Sequence, residues 1–104
     1  MMQTVAVTLV TIVAEKVLAT RLTRAVMAAG ATGYTMTEAS GVGSRDMRAS
    51  TLDGENVRIE VLAGDTVAEA LLAMLVRDWF PHYAVVAWVD SVQVVRGEKY
   101  AGRG

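Results

Sequence analysis

The sequence predicts an α+β domain in which four antiparallel strands form one sheet and two helices cover one of its faces. Extended apolar segments and segments with helical spacing follow one another as strand, helix, strand, strand, helix, strand. This order is the ferredoxin-like βαββαβ arrangement. The length of 104 residues suits one domain, so residues 1–104 are treated as a single unit.

Composition favours a folded cytoplasmic protein. Hydrophobic residues make up 53% of the chain and charged residues 20%, which is too apolar for a disordered segment. The net charge of -1 provides no overall field for nucleic acid or an anionic membrane. The chain has no cysteine, which excludes disulfides and thiolate metal sites. Its apolar start, Met1 to Val13, is interrupted by polar residues and is too short to span a bilayer.

The first strand and helix follow from the spacing of apolar residues. Residues 5–13 are rich in Val, Ile and Thr and apolar on both parities, which predicts a central strand. In residues 16–29, Leu22 and Val26 belong to a stripe with three-and-four spacing, which predicts a helix. Gly30 supplies its stop.

The next two strands flank a long connection. Residues 32–39 alternate and lead into a glycine-rich segment at 40–45, where strand pairing should end. Residues 56–63 alternate again and predict the third strand. About fifteen residues without periodicity separate the two strands, and connections of that length are usually functional or mobile.

The second helix is predicted from a capping box and a proline. Thr66 with Glu69 three residues later matches the capping-box pattern, and an apolar stripe continues to Trp79. Pro81 then ends the helix.

The fourth strand is predicted over residues 84–95 with an interruption. Its apolar parity changes between Val89 and Val92, so we expect a bulge or break at Asp90 and Ser91. Strands one and four are both apolar on two parities, which would leave the uncovered face of the sheet exposed and predicts a homo-oligomer packed through it. Residues 97–104 have no apolar run and are expected to form a flexible tail.

The glycine-rich segment is the strongest candidate for a binding site. Gly41 and Gly43 would let backbone N–H groups converge on an anion, Ser44 adds a hydroxyl, and Arg45 and Arg48 add forked donors for phosphate oxygens. The same residues also fit a flexible hairpin with solvated arginines, and the pattern matches neither the dinucleotide fingerprint nor the Walker motif.

Nothing in the sequence indicates catalysis or a metal. His82 is the single histidine and has no obvious companion ligands. Trp79, Phe80 and Tyr83 flank Pro81, where core packing or an interface is the more common use of aromatic residues. No nucleophile lies beside a base in the sequence.

These segments resemble a known family. The residues from Thr32 to Arg45, TGYTMTEASGVGSR, together with the topology, are similar to the PII signalling superfamily over Val5 to Gly97. The Gly-x-Gly-Ser-Arg-x-x-Arg motif, the segment FPHYA at residues 80–84 and the short central loop resemble the PII-like proteins of inorganic-carbon metabolism, which are bicarbonate-transporter-associated or carboxysome-associated.

The resemblance implies a homotrimer that binds an adenine nucleotide in each cleft between subunits, with a T-loop at about residues 41–55 that changes order when the cleft fills. Carried over by position, the phosphate contacts are Gly41, Val42, Gly43, Ser44, Arg45 and Arg48. The adenine pocket would be lined by Thr35, Glu60 and Leu62, with Tyr83 and Ala84 in a second nucleotide loop and Arg96 late in the chain. A second late arginine of the family is replaced by Val94.

Departures from the family restrict the expected ligand. The Gly-Asp-Gly-Lys loop of nitrogen-control members is absent, which disfavours strong ATP binding and 2-oxoglutarate sensing and favours ADP, AMP or a cyclic nucleotide without a required metal. The T-loop contains no tyrosine for uridylylation. The tail lacks the cysteine pair of the bicarbonate-transporter-associated group, so a redox-gated tail is not implied.

The leading hypothesis is therefore a non-enzymatic sensor that binds ADP or AMP, alone or with bicarbonate, and signals carbon or energy status to a transporter or carboxysome-related protein. The alternatives are an acylphosphatase-type hydrolase, which would need an anion-binding turn between strand one and helix one, and a nitrogen-control PII regulator. RNA binding through the sheet is disfavoured because strands one and three have no aromatic residue. A trimeric metal-tolerance protein is disfavoured by the lone His82.

Overall fold

The structure is a computed structural model that describes residues 3–41 and 55–96. Within those ranges the chain forms the predicted four strands and two helices. The elements in chain order are β1 Val5–Glu15, a 3-10 turn Lys16–Leu18, α1 Ala19–Ala28, β2 Thr35–Ala39, β3 Asn56–Ala63, α2 Asp65–Met74, a π-helical continuation Leu75–Trp79, and β4 Val86–Val94. The central loop between Val42 and Gly54 and the tail from Gly97 lie outside the described residues.

The four strands form one antiparallel sheet in the order β2-β3-β1-β4. The central strands are β1 and β3. The central place of β1 was predicted from its apolar run on both parities, because a strand inside a sheet can be buried on both faces. Both helices pack on one face of the sheet. The predicted ferredoxin-like α+β fold is confirmed.

The hydrophobic core lies between the helices and the face of the sheet that they cover. Val10, Ile12 and Ile59 from the central strands are fully buried there, as are Leu22 of α1 and Leu71 of α2. Burying one such side chain contributes about 1.5 to 3 kcal/mol. The core therefore attaches both helices to the sheet within a single chain.

The start of α2 differs from the predicted capping box. The N-cap is Gly64, whose carbonyl accepts the first helical hydrogen bond from the N–H of Ala68 at 2.9 Å, and no side chain of residues 3–41 or 55–96 caps the helix. Thr66 is already inside the first turn, so it cannot act as the N-cap residue. Asp65 in that turn places a negative charge near the positive end of the helix dipole.

The predicted interruption in β4 is wrong. The strand pairs with β1 without a slip from Val86 opposite Val13 to Val94 opposite Val5, and Asp90 and Ser91 keep the register. The parity changes for a different reason. On the helix side of this end of β4, Ser91 and Gln93 are exposed, so apolar residues are not needed there. Val92 and Val94, on the open side, are partly buried.

Three elements begin later in the chain than predicted. The α1 helix begins at Ala19 after a 3-10 turn, β2 begins at Thr35, and β4 begins at Val86. Gly30, with φ of 115°, turns the chain after α1 as expected, because a side chain there would be strained.

Candidate functional site

The predicted anion-binding loop leaves the sheet at one end, which we call the loop end. Gly41 follows β2 there, beside the end of β1 and the start of β3. A Cβ on Gly41 would meet no heavy atom within 4 Å, so the described part of this chain does not by itself require glycine at this position. The predicted phosphate contacts Val42, Gly43, Ser44, Arg45 and Arg48 lie outside the described residues.

Lys16 joins the two chain segments from which the loop emerges. Its Nζ donates a hydrogen bond to Glu38 Oε2 at 2.7 Å, three residues before Gly41. Its backbone N–H donates to the carbonyl of Glu55 at 3.0 Å, on the other side of the loop. The contact lowers the pKa of Glu38 and raises the pKa of Lys16, in both cases mainly through the shared hydrogen bond and then through charge attraction.

This role of Lys16 was not predicted from the sequence. The available signal was its place directly after a strand that is antiparallel to β3, which puts it at the loop end. The same contact weighs against an acylphosphatase-type site. Such a site needs free N–H groups in the turn between β1 and α1, whereas the first N–H of this turn is already bonded to Glu55.

The predicted adenine-pocket residues lie on the face of the sheet that the helices leave uncovered, which we call the open face. Thr35 of β2 is the direct cross-strand partner of Glu60 on β3, and Leu62 follows two residues later on the same face. Glu60 also pairs with Arg58, at 3.5 Å between Oε2 and Nε. The structure thus brings Thr35, Glu60 and Leu62 together.

Two further residues of the open face, Thr11 and Trp88, lie in one row across the strands with Thr35 and Glu60. Trp88 of β4 lies level with Glu60 across the buried Thr11, and the Arg58 guanidinium carbon is 5.6 Å from the centre of its ring. The Thr11 hydroxyl is buried and has no hydrogen-bond partner among the described residues. A buried hydroxyl without a hydrogen-bond partner lowers the free energy of unfolding by about 1 to 3 kcal/mol. Thr11 is therefore an unusual residue within this row.

Tyr83 and Ala84 form part of a turn at the loop end, between α2 and β4. Tyr83 accepts a hydrogen bond from Arg21 Nη1 at 3.2 Å, and its ring centre is 5.2 Å from that of Trp79. His82 is exposed beside them, 6.2 Å from Tyr83 between ring centres. Residues 3–41 and 55–96 contain no cluster of three or more potential metal-ligating side chains.

Arg96 lies at the opposite end of the sheet from Gly41. Gly41 follows β2 at the level of Glu15 in β1, whereas Arg96 follows β4 at the level of Val5. The two levels are ten residue steps apart along β1, which is about 33 Å at a rise of about 3.3 Å per residue. One chain therefore does not bring Arg96 to the residues around Gly41.

None of the helices among the described residues is long and apolar enough to cross a bilayer.

Comparison with known proteins gives one family. The family model described as nitrogen regulatory protein P-II matches residues 7–99. Among solved structures, a proposed PII-like signaling protein from Thermus thermophilus is 49% identical, with a TM-score of 0.81, over 96% of this chain and 100% of that one.

More distant structures share the fold. CPII from Thiomonas intermedia, bound to ADP and bicarbonate, is 24% identical with a TM-score of 0.81, over 96% of this chain and 99% of that one. GlnK of B. subtilis in complex with ATP is 20% identical with a TM-score of 0.57, over 84% of this chain and 82% of that one.

Proposed function

The chain belongs to the nitrogen regulatory protein P-II family and is PII-like, and on that premise we propose that it is a non-enzymatic regulator that binds an adenine nucleotide. The ligand is ADP or AMP, with bicarbonate as a candidate second ligand. It binds in the clefts between the subunits of a homotrimer, and the loop at residues 41–55 reports the bound state to a protein partner. CPII, solved with ADP and bicarbonate on the same fold, supports this choice of ligands.

The observation that carries the proposal is the separation of Gly41 and Arg96 by the length of the sheet. A nucleotide is far shorter than the roughly 33 Å that ten strand residues span. If both residues contact one ligand, they must come from different chains. A cleft between two copies satisfies this requirement, because an antiparallel or rotated neighbour places the far end of one sheet beside the loop end of another.

The open face supports assembly as well. It carries Val86 and Trp88, which are 48% and 43% exposed, on a face that neither α1 nor α2 covers. A sheet with one uncovered apolar face normally packs against something. A second and third copy of this chain are the occupants that the proposal requires.

Within the cleft, the proposed contacts divide between the phosphates and the adenine base of the nucleotide. Backbone N–H groups from Gly41 to Ser44 and the guanidinium groups of Arg45 and Arg48 hold the phosphates. Thr35, Glu60 and Leu62 line the adenine pocket, and Tyr83 and Ala84 border it. Arg96 comes from a neighbouring subunit.

The partner is a transporter or a carboxysome-related protein, and the signal is carbon or energy status. The absence of the Gly-Asp-Gly-Lys loop favours ADP or AMP over ATP as the ligand. GlnK of B. subtilis, by contrast, was solved with ATP. A ligand shifts the loop between ordered and mobile states only by its difference in affinity for them. The loop therefore reports the nucleotide only if nucleotide binding orders it.

The proposal is tested by calorimetry on the full chain with AMP, ADP and ATP, each with and without bicarbonate, and by sedimentation for the trimer. Arg45→Ala and Arg48→Ala should each raise the Kd for ADP about tenfold or more, because hydrogen bonds to charged groups contribute about 1.5 to 3 kcal/mol. Arg24→Ala, an exposed arginine on α1, is the matched control and should leave the Kd unchanged.

Unchanged ADP affinity in both loop variants rejects the phosphate site. An isotherm that bicarbonate does not alter leaves a sensor of nucleotide alone. Release of phosphate from ADP or ATP by the wild-type protein favours the hydrolase alternative instead.

A further inference from the structure

Arg21 connects α1 to the turn that carries Tyr83. Its guanidinium carbon is 5.6 Å from the centre of the Trp79 ring and 5.3 Å from that of Tyr83, and its Nη1 donates a hydrogen bond to the Tyr83 hydroxyl. Trp79 is buried in the core, so one of the two rings is fixed. Arg21 is otherwise an exposed residue on a helix that makes no predicted contact with nucleotide.

Backbone hydrogen bonds stabilise the turn itself, and two of them share the Trp79 carbonyl as acceptor. The N–H groups of His82 and Tyr83 both donate to the Trp79 carbonyl at 3.0 Å, and Val85 donates to the Tyr83 carbonyl at 2.9 Å. Phe80 donates to Leu75 at 2.8 Å, which closes the π-helical end of α2. Single π-helical turns are uncommon in proteins, and those that do occur often lie at functional sites.

We propose that Arg21 is a positioning residue that fixes the turn at residues 79–85 and, through Tyr83, sets the nucleotide affinity of the cleft. The inference rests on the proposed function, in which Tyr83 and Ala84 border the nucleotide. The physical reason is preorganisation. The backbone bonds set the path of the turn, but only Arg21 among the described residues bonds the Tyr83 hydroxyl, and a ring held before binding loses less freedom on binding.

The first test is the affinity for ADP of the full chain with Arg21→Met, which keeps an unbranched apolar side chain but removes the guanidinium group and its charge. The Kd should rise about fivefold to tenfold, since cation–π contacts at exposed sites and a single hydrogen bond each contribute a factor of a few. Arg21→Lys should be intermediate, because an ammonium group keeps the charge but not the planar fork. Tyr83→Phe, which removes only the hydroxyl, should weaken binding less than Arg21→Met.

Arg24→Met is the matched control. Arg24 is exposed on the same helix, has no ring contact, hydrogen bond or ion pair within residues 3–41 and 55–96, and its loss changes the net charge by the same amount. Its Kd should equal that of the wild type.

A second measurement separates positioning from general destabilisation. Hydrogen exchange without nucleotide should become faster in Arg21→Met at the amides of His82, Tyr83 and Val85, while the β1 amides exchange at the wild-type rate. In a Tyr83→Ala background, Arg21→Met should cause no further loss of affinity beyond about twofold, because coupled residues are not additive.

The outcomes distinguish the two proposals. Wild-type ADP binding together with an unchanged Kd in Arg21→Met overturns the role of Arg21 and leaves the proposed function standing. Additive losses in the double variant also overturn it. A wild-type protein that binds none of AMP, ADP and ATP overturns the proposed function itself. If Arg21→Met does not fold, Arg21→Lys and Tyr83→Phe provide the same comparison.

Discussion

The two faces of the sheet differ in what buries them. On the covered face, Val10, Ile12 and Ile59 are fully buried by helices of the same chain. On the open face, Trp88 and Val86 stay close to half exposed, and charged residues such as Arg58 stand among the apolar ones. One face therefore holds the described part of the chain together, whereas the other keeps apolar surface that the described helices do not bury.

Because of this difference, substitutions on the two faces should change different properties of the protein. Substitutions on the covered face should lower the stability of the folded chain at any protein concentration. Substitutions of the exposed side chains on the open face should act mainly on assembly, and their effect should depend on protein concentration because oligomerisation follows mass action.

The largest effect is expected at the covered face. Ile12→Ala should lower the free energy of unfolding by about 2 to 5 kcal/mol, because it removes a fully buried side chain from a core held on both sides. Denaturant unfolding followed by circular dichroism measures the change. Ser91→Ala, on the same side of the sheet but exposed, is the control and should stay within about 0.5 kcal/mol of the wild type. A loss below about 1 kcal/mol at Ile12 would contradict the assignment of this core.

An intermediate effect is expected at the open face. In the proposed homotrimer, Trp88→Ala should shift the sedimentation of the protein toward monomer, because it removes a large, half-exposed apolar side chain of that face. Val89→Ala is a closely matched control, since Val89 is the next residue of β4 and is 49% exposed against 43% for Trp88, but it points to the other side of the sheet. Equal dissociation in both variants would remove the distinction between the faces.

The smallest effect is expected at Lys16, which lies in the 3-10 turn after β1 and makes an exposed ion pair with Glu38. Glu38 has a lowered pKa, so its stabilising contribution is present above its ordinary value of 4.5 and is lost as pH falls through the lower folded value. Lys16 has a raised pKa, so its contribution is present below 10.5 and is lost as pH rises through the higher folded value. The pair is therefore intact at neutral pH.

Lys16→Met should lower the melting temperature slightly at pH 7 and speed hydrogen exchange near Glu55. The difference from wild type should shrink as the pH falls below 4.5 and disappear once Glu38 is protonated in the folded state. Arg77→Met is the control, since Arg77 makes an equally exposed ion pair with Asp78, at 3.0 Å, away from the loop. A difference between Lys16→Met and wild type that persists at acid pH would show that the ion pair is not its cause.

Much of the fold was predictable because periodicity reports burial. The alternation of Val57, Ile59 and Val61 identifies a strand with one covered face, and each of these residues is buried. The same rule failed in β4, because parity records which face is covered at each residue and the helices do not cover the whole strand. A change of the covered face and a bulge produce the same sequence pattern.

The candidate site was only partly predictable. Resemblance pointed to Thr35, Glu60 and Leu62, and the register of β2 and β3 brings them together. The contacts of Lys16 with Glu38, and of Arg21 with Tyr83, join residues that are 22 and 62 positions apart. Nothing in local spacing records such pairs, since long flexible side chains reach whatever the packing of helices on the sheet places near them.

By itself the sequence determined the order of the elements, the central place of β1 and the resemblance to the family, because these depend on apolar periodicity and on local motifs that each segment carries alone. Only the tertiary structure decided the unbroken register of β4, the glycine start of α2 and the distance between Gly41 and Arg96. These depend on how far the helices reach over the sheet and on which strands are neighbours, and both are set by the packing of the whole chain.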